Sequence, residues 1–130
     1  MMNPEDLLKL AADAAKSAYA PYSQFQVGAA ILSENGEVFT GCNVENASYG
    51  LSMCAERTAV FKAISHGARK LTAIAVASPG GASPCGACRQ VLNEFDPDIT
   101  VYLGNEKGQL IRETSIRQLL PDAFGPENLG

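Results

Sequence analysis

The sequence predicts an α/β fold: a three-layer α/β/α sandwich around a five-stranded mixed sheet whose last strand is antiparallel. Three observations predict it. Helix-spaced and strand-like apolar segments follow one another in the order α-β-β-α-β-α-β-β-α. The segment Leu71 to Ala77 is nearly all apolar, as a strand covered on both faces must be. Only six residues, Gly104 to Gln109, separate the last two strand candidates. A parallel crossover needs about a dozen or more, so that pair is antiparallel. A chain of 130 residues is the size of one domain, taken here as 1–130.

Each element has a local cause. In the first helix Asn3 caps, Pro4 suits the first helical position, and Glu5 and Asp6 favour the positive end of the dipole. Leu7, Leu8, Ala11, Ala15 and Ala18 recur at helical spacing, and Ala20-Pro21-Tyr22 ends the run. Phe25 to Leu32 is an apolar strand, Glu34-Asn35-Gly36 a hairpin turn, and Glu37 to Cys42 the returning strand. Met53 to Ser65 reads as a helix stopped near Gly67. Leu71 to Ala77 is the buried strand, and Ser78 to Pro84 is a turn-rich loop. Cys85 to Phe95 is a helix ended by Asp96-Pro97. Thr100 to Leu103 and Leu110 to Glu113 are strands, and Ile116 to Leu120 is a short helix before Pro121. Ligands in such sheets gather beyond the carboxyl ends of strands, where helices begin.

Composition excludes several classes. Charged residues are 18% of the chain and the net charge is −4, with no Lys/Arg run, so a nucleic-acid backbone is a poor partner. The low charge also leaves surface suited to burial between subunits. No apolar run approaches the roughly 18–20 residues of a membrane span. The start MMNPEDLLKL has no basic flank before an apolar stretch and does not read as a secretory signal. A cytoplasmic setting follows as the expectation. Thiols stay reduced there, which turns Cys42, Cys54, Cys85 and Cys88 toward metal or catalysis rather than disulfides.

The chemistry concentrates in Cys54-Ala55-Glu56 and Pro84-Cys85-Gly86-Ala87-Cys88, both at expected helix starts. Three thiolates can take three corners of a zinc tetrahedron and leave the fourth for water. The first turn's free N–H groups and the helix dipole favour thiolates there. Glu56 stands two residues from Cys54 and can shuttle protons at the open corner. The combination matches a zinc-deaminase signature. A competing reading is a structural centre in which Cys42 supplies a fourth sulfur, but such a centre has no use for Glu56. Otherwise Cys42 is a packed strand thiol. Zinc with three thiolates carries a net −1, which weakens its pull on water. Arg57, three residues after Cys54, and Arg89, next to Cys88, are the candidates to compensate it. His66, at a helix end, reads as a capping or surface residue.

Taken together, APYSQFQVGAA, GCNVENASYG, CAERTA, PCGACRQV and LLPDAFGPENL resemble the small, homotetrameric cytidine deaminases over almost the whole chain. The resemblance implies one Zn²⁺ per chain on Cys54, Cys85 and Cys88, with Glu56 as the catalytic proton shuttle. It implies Asn43 and Glu45 on the ribose hydroxyls, Phe25 stacked on the pyrimidine, and Ala55 among the substrate-binding residues. Tyr49 and Phe124 would complete a neighbouring subunit's site. The implied reaction is hydrolytic deamination of cytidine and deoxycytidine in pyrimidine salvage. The alternatives are a deaminase of another small aminopyrimidine, such as a blasticidin-type nucleoside, and a non-catalytic zinc-stabilised interaction domain. Each residue also has a plain structural reading: Phe25 as core, Asn43 and Glu45 as turn hydrogen-bonders, Tyr49 and Phe124 as monomer core, and the arginines as surface groups.

Overall fold

A computed structural model describes residues 2–130 of the chain. The first helix, α1 (Pro4–Ala15), starts where Asn3 accepts a 2.8 Å hydrogen bond from the Asp6 amide and Pro4 enters the first turn. The strands are β1 (Gly28–Ser33), β2 (Val38–Cys42), β3 (Leu71–Ala77), β4 (Thr100–Gly104) and β5 (Leu110–Ser115). The remaining helices are α2 (Ala55–Ser65), α3 (Gly86–Phe95) and the single turn α4 (Ile116–Leu119). Two 3-10 turns, Tyr49–Leu51 and Pro126–Leu129, add to the expected elements.

The five strands form one mixed sheet in the order β2-β1-β3-β4-β5. β1 pairs antiparallel with β2, with Gly28 opposite Cys42, and antiparallel with β3 on its other side. β2 and β3 therefore run the same way, with β1 between them. β3 and β4 are parallel and joined through α3; β4 and β5 are antiparallel, as their short connection requires.

Helices cover both faces. On one, Leu7, Leu8, Ala11 and Ala12 of α1 bury against Ala30, Ala73, Ala75 and Ala77. On the other, Ala59, Val60, Leu92 and Ile116 pack against Ile31, Ile74, Val76 and Val101. Each fully buried Leu, Ile or Val contributes about 1.5–3 kcal/mol, so β3, lined on both sides, is the most strongly held strand. Small residues set the distances. A Cβ on Gly28 would lie 1.8 Å from the Ala11 carbonyl oxygen, so only glycine lets α1 lie this close to β1. Gly41 does the same for α2, whose Ala59 amide nitrogen would sit 2.5 Å from a Cβ there.

Several boundaries differ from the sequence pattern. The first strand begins at Gly28, not Phe25. Asn43 takes the Val27 amide and the Phe25 carbonyl with its side chain, and Gln24 turns the chain with φ of 58°. The first helix ends at Ala15, before Ala18, because the chain turns so that Tyr19 can pair with Val44. The second helix starts at Ala55, not Met53, because Met53 also pairs with Val44. His66 is the C-cap residue of α2, exposed, with its ring against Phe39. No helix among the described residues is long and apolar enough to cross a membrane.

Candidate metal centre and substrate cavity

Two helices begin on a cysteine at the same end of the sheet. Cys54 is the N-cap of α2 and Cys85 the N-cap of α3. Both have extended backbone, and neither side chain caps its own helix. Each sulfur is thus free to turn away from the helix end. Cys88 lies one turn into α3 and is fully buried. The Cys54 and Cys85 sulfurs are 3.8 Å apart, those of Cys85 and Cys88 3.5 Å, and all three lie within 4.8 Å of one another. Thiolates at two corners of a tetrahedron about 2.3 Å from zinc would be about 3.8 Å apart, so the donor set fits that ion. Cys42 sits half-buried on β2 and is not a member of the cluster.

The electrostatics are those of a thiolate site. A hydrogen bond from Cys88, then the Arg57 guanidinium, holds the Cys54 thiol down at about 5, against the opposing effect of burial. Cys88, the donor in that pair, is pushed up. Arg57 donates from Nη2 to the Cys54 sulfur at 3.4 Å, and that contact raises its own pKa. Arg89 does not donate to a sulfur. Its guanidinium bonds the Pro84 carbonyl, the Leu119 carbonyl and the Ser83 hydroxyl, each at 2.8 Å. Its geometry is that of a clamp on the loop entering α3, and its charge lies next to the Pro84–Cys85 peptide.

Glu56, in the first turn of α2, is 5% exposed. Burial pushes its carboxyl up to about 7, with the Cys54 charge adding and Arg57 opposing. A carboxyl poised there can both take and give a proton near neutral pH. It faces a cavity of about 470 Å³ that also reaches Phe25, Asn43, Glu45, Ala55 and the Cys54 and Cys85 side chains. The cavity lies beyond the carboxyl ends of β2 and β3, and among the described residues no Lys or Arg lines it. Its size suits a small molecule.

The far wall is built from the segment after β2. Val44 exchanges backbone hydrogen bonds with Met53, at 3.0 and 2.9 Å, and its neighbours bond Tyr19. This small ladder ties the loop carrying Asn43 and Glu45 to the one carrying Cys54. Glu45 accepts from the Tyr22 and Ser23 amides at 3.0 and 3.1 Å, and from the Ser23 hydroxyl. Those bonds, the hydroxyl's first, hold its carboxyl below the usual range. Phe25 presents a partly exposed ring, and its amide is bonded to the Ser23 hydroxyl at 3.0 Å.

Not all the expected residues converge. Tyr49 is 74% exposed; it meets Tyr22 edge-on at 6.0 Å over a smaller cleft next to Glu45. Phe124 is 59% exposed and does not line the cavity of its own chain. Neither is monomer core. Ser23, which fixes both Glu45 and Phe25, was missed in the sequence, where a lone serine in a turn gives no signal.

A model of the cytidine and deoxycytidylate deaminase zinc-binding region matches residues 1–104. A cytidine deaminase of Halalkalibacterium halodurans is 53% identical over 131 residues, covering 98% of this chain and 98% of that protein. One from Sporosarcina psychrophila is 50% identical, over 98% and 96%. The crystal structure of cytidine deaminase from Burkholderia pseudomallei superposes with a TM-score of 0.90 at 52% identity, covering 95% of this chain and all of that one.

Proposed function

The chain belongs to the cytidine and deoxycytidylate deaminase family, and we propose that it removes the amino group of cytidine and deoxycytidine by zinc-dependent hydrolysis. The products are uridine or deoxyuridine and ammonia, a step of pyrimidine salvage. One observation carries the reading: a buried carboxyl, Glu56, lines a cavity together with two of three convergent thiols, and among the described residues no Lys or Arg lines it. A purely structural zinc site has no use for that carboxyl. A nucleic-acid substrate would need basic side chains that the lining lacks.

Cys54, Cys85 and Cys88 would hold one zinc per chain. Zinc, when bound, supplies the Lewis acidity that makes water nucleophilic near neutral pH. Glu56 does the proton work. As water adds at C4 of the base, Glu56 accepts one of its protons and delivers it to N3. It then passes the second proton to the amino nitrogen; the C4–N bond breaks, ammonia leaves and the C4 carbonyl forms. Phe25 stacks on the pyrimidine, the Ala55 backbone borders it, and Asn43 and Glu45 take the ribose hydroxyls. Arg57 and, more remotely, Arg89 offset the charge of three thiolates.

The whole chain acts as one catalytic domain, working in the cytoplasm as a homotetramer. The exposed apolar side chains, Tyr22, Tyr49, Leu51 and Phe124 among them, support assembly, with Tyr49 and Phe124 completing a neighbour's site. The test is the fall in cytidine absorbance on adding zinc-loaded protein. Turnover that is abolished by chelation and restored by zinc is expected, whereas no deamination by fully metallated protein would overturn the reading. Sedimentation at assay concentration tests the tetramer, and an active monomer would refute the shared site.

A further inference from the structure

The helix that carries two of the thiols also holds the chain's C-terminal segment, and it does so with side chains that donate to no sulfur. From three positions of α3, donors reach backbone carbonyls at the last residue of α4 and beyond it. Arg89 Nη1 meets the Leu119 carbonyl at 2.8 Å; Gln90 Nε2 and Asn93 Nδ2 both meet the Phe124 carbonyl, at 2.8 and 3.3 Å. Gln90 and Asn93 are three apart on a helix and so share a face. Asn93 is a buried polar residue in the last turns of α3.

Between the two anchored carbonyls the chain bends sharply. Asp122 is held at φ of 54°, a left-handed conformation that a non-glycine residue adopts at a cost and keeps only where its surroundings impose it. Beyond Phe124, the Gly125 amide bonds the Asn128 side chain at 2.8 Å, closing the other flank. The backbone of 119–125 is thus fixed on both sides, while the Phe124 ring is 59% exposed. An aromatic ring on a fixed backbone, with little of its own chain to pack on, is preorganised for a surface elsewhere.

We propose that Gln90 and Asn93 are positioning residues. They pin the Phe124 carbonyl so that its ring projects in the one direction that serves a neighbouring copy's substrate cavity. This rests on the shared-site reading given above and adds to it the device that aims the ring. Losing both donors frees the segment, and the ring must then be ordered on each binding event. One or two hydrogen bonds of ordinary strength correspond to a KM raised about three- to tenfold. The maximal rate changes little, because Glu56 and the thiols stay in place.

The experiment compares four zinc-loaded proteins: parent, Q90A/N93A, F124A, and all three substitutions together. Amide hydrogen exchange over residues 119–126 should quicken in Q90A/N93A while α3 retains its protection and the zinc content is unchanged. KM for cytidine should rise in Q90A/N93A and in F124A. In the triple variant it should match F124A alone, since pinning a missing ring does nothing. A merely structural role would instead add its effect to that of F124A, and additivity overturns the proposal. So does unchanged exchange over 119–126. A KM raised in F124A but not in Q90A/N93A overturns the positioning role while sparing the shared site. A KM raised in neither overturns both.

Discussion

Replacing Glu56 by Gln isolates proton transfer from every other duty of the site. The side chain is 5% exposed, so the substitute must fit the same space, and glutamine does. The three clustered thiols are untouched. General acid–base groups contribute about 10²- to 10⁴-fold, or about 3–5 kcal/mol of barrier. The upper end applies here, for a structural reason. Among the described residues the only other carboxylate bordering the cavity, Glu45, is already tied to two amides and the Ser23 hydroxyl, and these hold its pKa low. It is a poor proton carrier near neutral pH and cannot substitute. We therefore expect turnover to fall by about 10⁴-fold. The assay pairs initial rates of cytidine absorbance loss with zinc per chain and the far-ultraviolet circular dichroism spectrum. Full zinc, an unchanged spectrum and turnover within tenfold of the parent would refute the reasoning, because the shuttle would have to lie elsewhere.

Other perturbations separate metal, substrate and scaffold. Cys85→Ala removes the thiol that bridges the cluster at 3.8 and 3.5 Å, so zinc content and activity should both be lost; Cys42→Ala, outside the cluster, should retain both. Ser23→Ala deletes the hydroxyl that does most to keep Glu45 ionised. The Glu45 pKa should then move up toward its ordinary value, so KM should worsen on going to pH 5 more steeply than in the parent, measured against pH 7.5. An unchanged KM-against-pH profile would remove Ser23 from that role. Gly28→Ala would place a Cβ 1.8 Å from the Ala11 carbonyl oxygen, a backbone atom that cannot rotate away. We expect a loss of about 3 kcal/mol, the upper end for overpacking, seen as a Tm lowered by roughly 10 °C; an unchanged Tm would mean α1 shifts freely.

Much of this was legible in the residues alone, because the strongest signals are local. The CxxC pair, the CAE triplet and the all-apolar run of β3 each state their chemistry within a few positions, and the six-residue link between β4 and β5 permits only an antiparallel pair. What was not legible depends on contacts between distant segments. Arg89 follows Cys88 directly, and sequence adjacency suggests that it compensates the thiolate charge at close range. In the fold its three bonds go to Pro84, Ser83 and Leu119, because the side chain leaves the helix toward the loop and α4. Tyr49 and Phe124 could have been core by composition, and only their exposure distinguishes a surface role. Gln90 and Asn93 showed an i, i+3 spacing, but nothing in the sequence says that residue 124 returns to meet them.

The displaced start of β1 shows how the same residues produce both fold and site. The apolar run from Phe25 to Leu32 has the composition of one unbroken strand, and as a strand it would direct Phe25 into the sheet's ladder. Asn43 prevents this. Its side-chain oxygen accepts the Val27 amide and its nitrogen donates to the Phe25 carbonyl, both at 2.8 Å. Those two backbone groups are satisfied without a partner strand, so the chain can leave the sheet without orphaning polar groups. The sheet therefore opens just where β2 ends and α2 begins. Into that opening come the Phe25 ring, the Cys54 sulfur and Glu56, all bordering one cavity. The interruption of regular pairing, which an apolar pattern cannot register, leaves room for a small molecule beside the three clustered thiols.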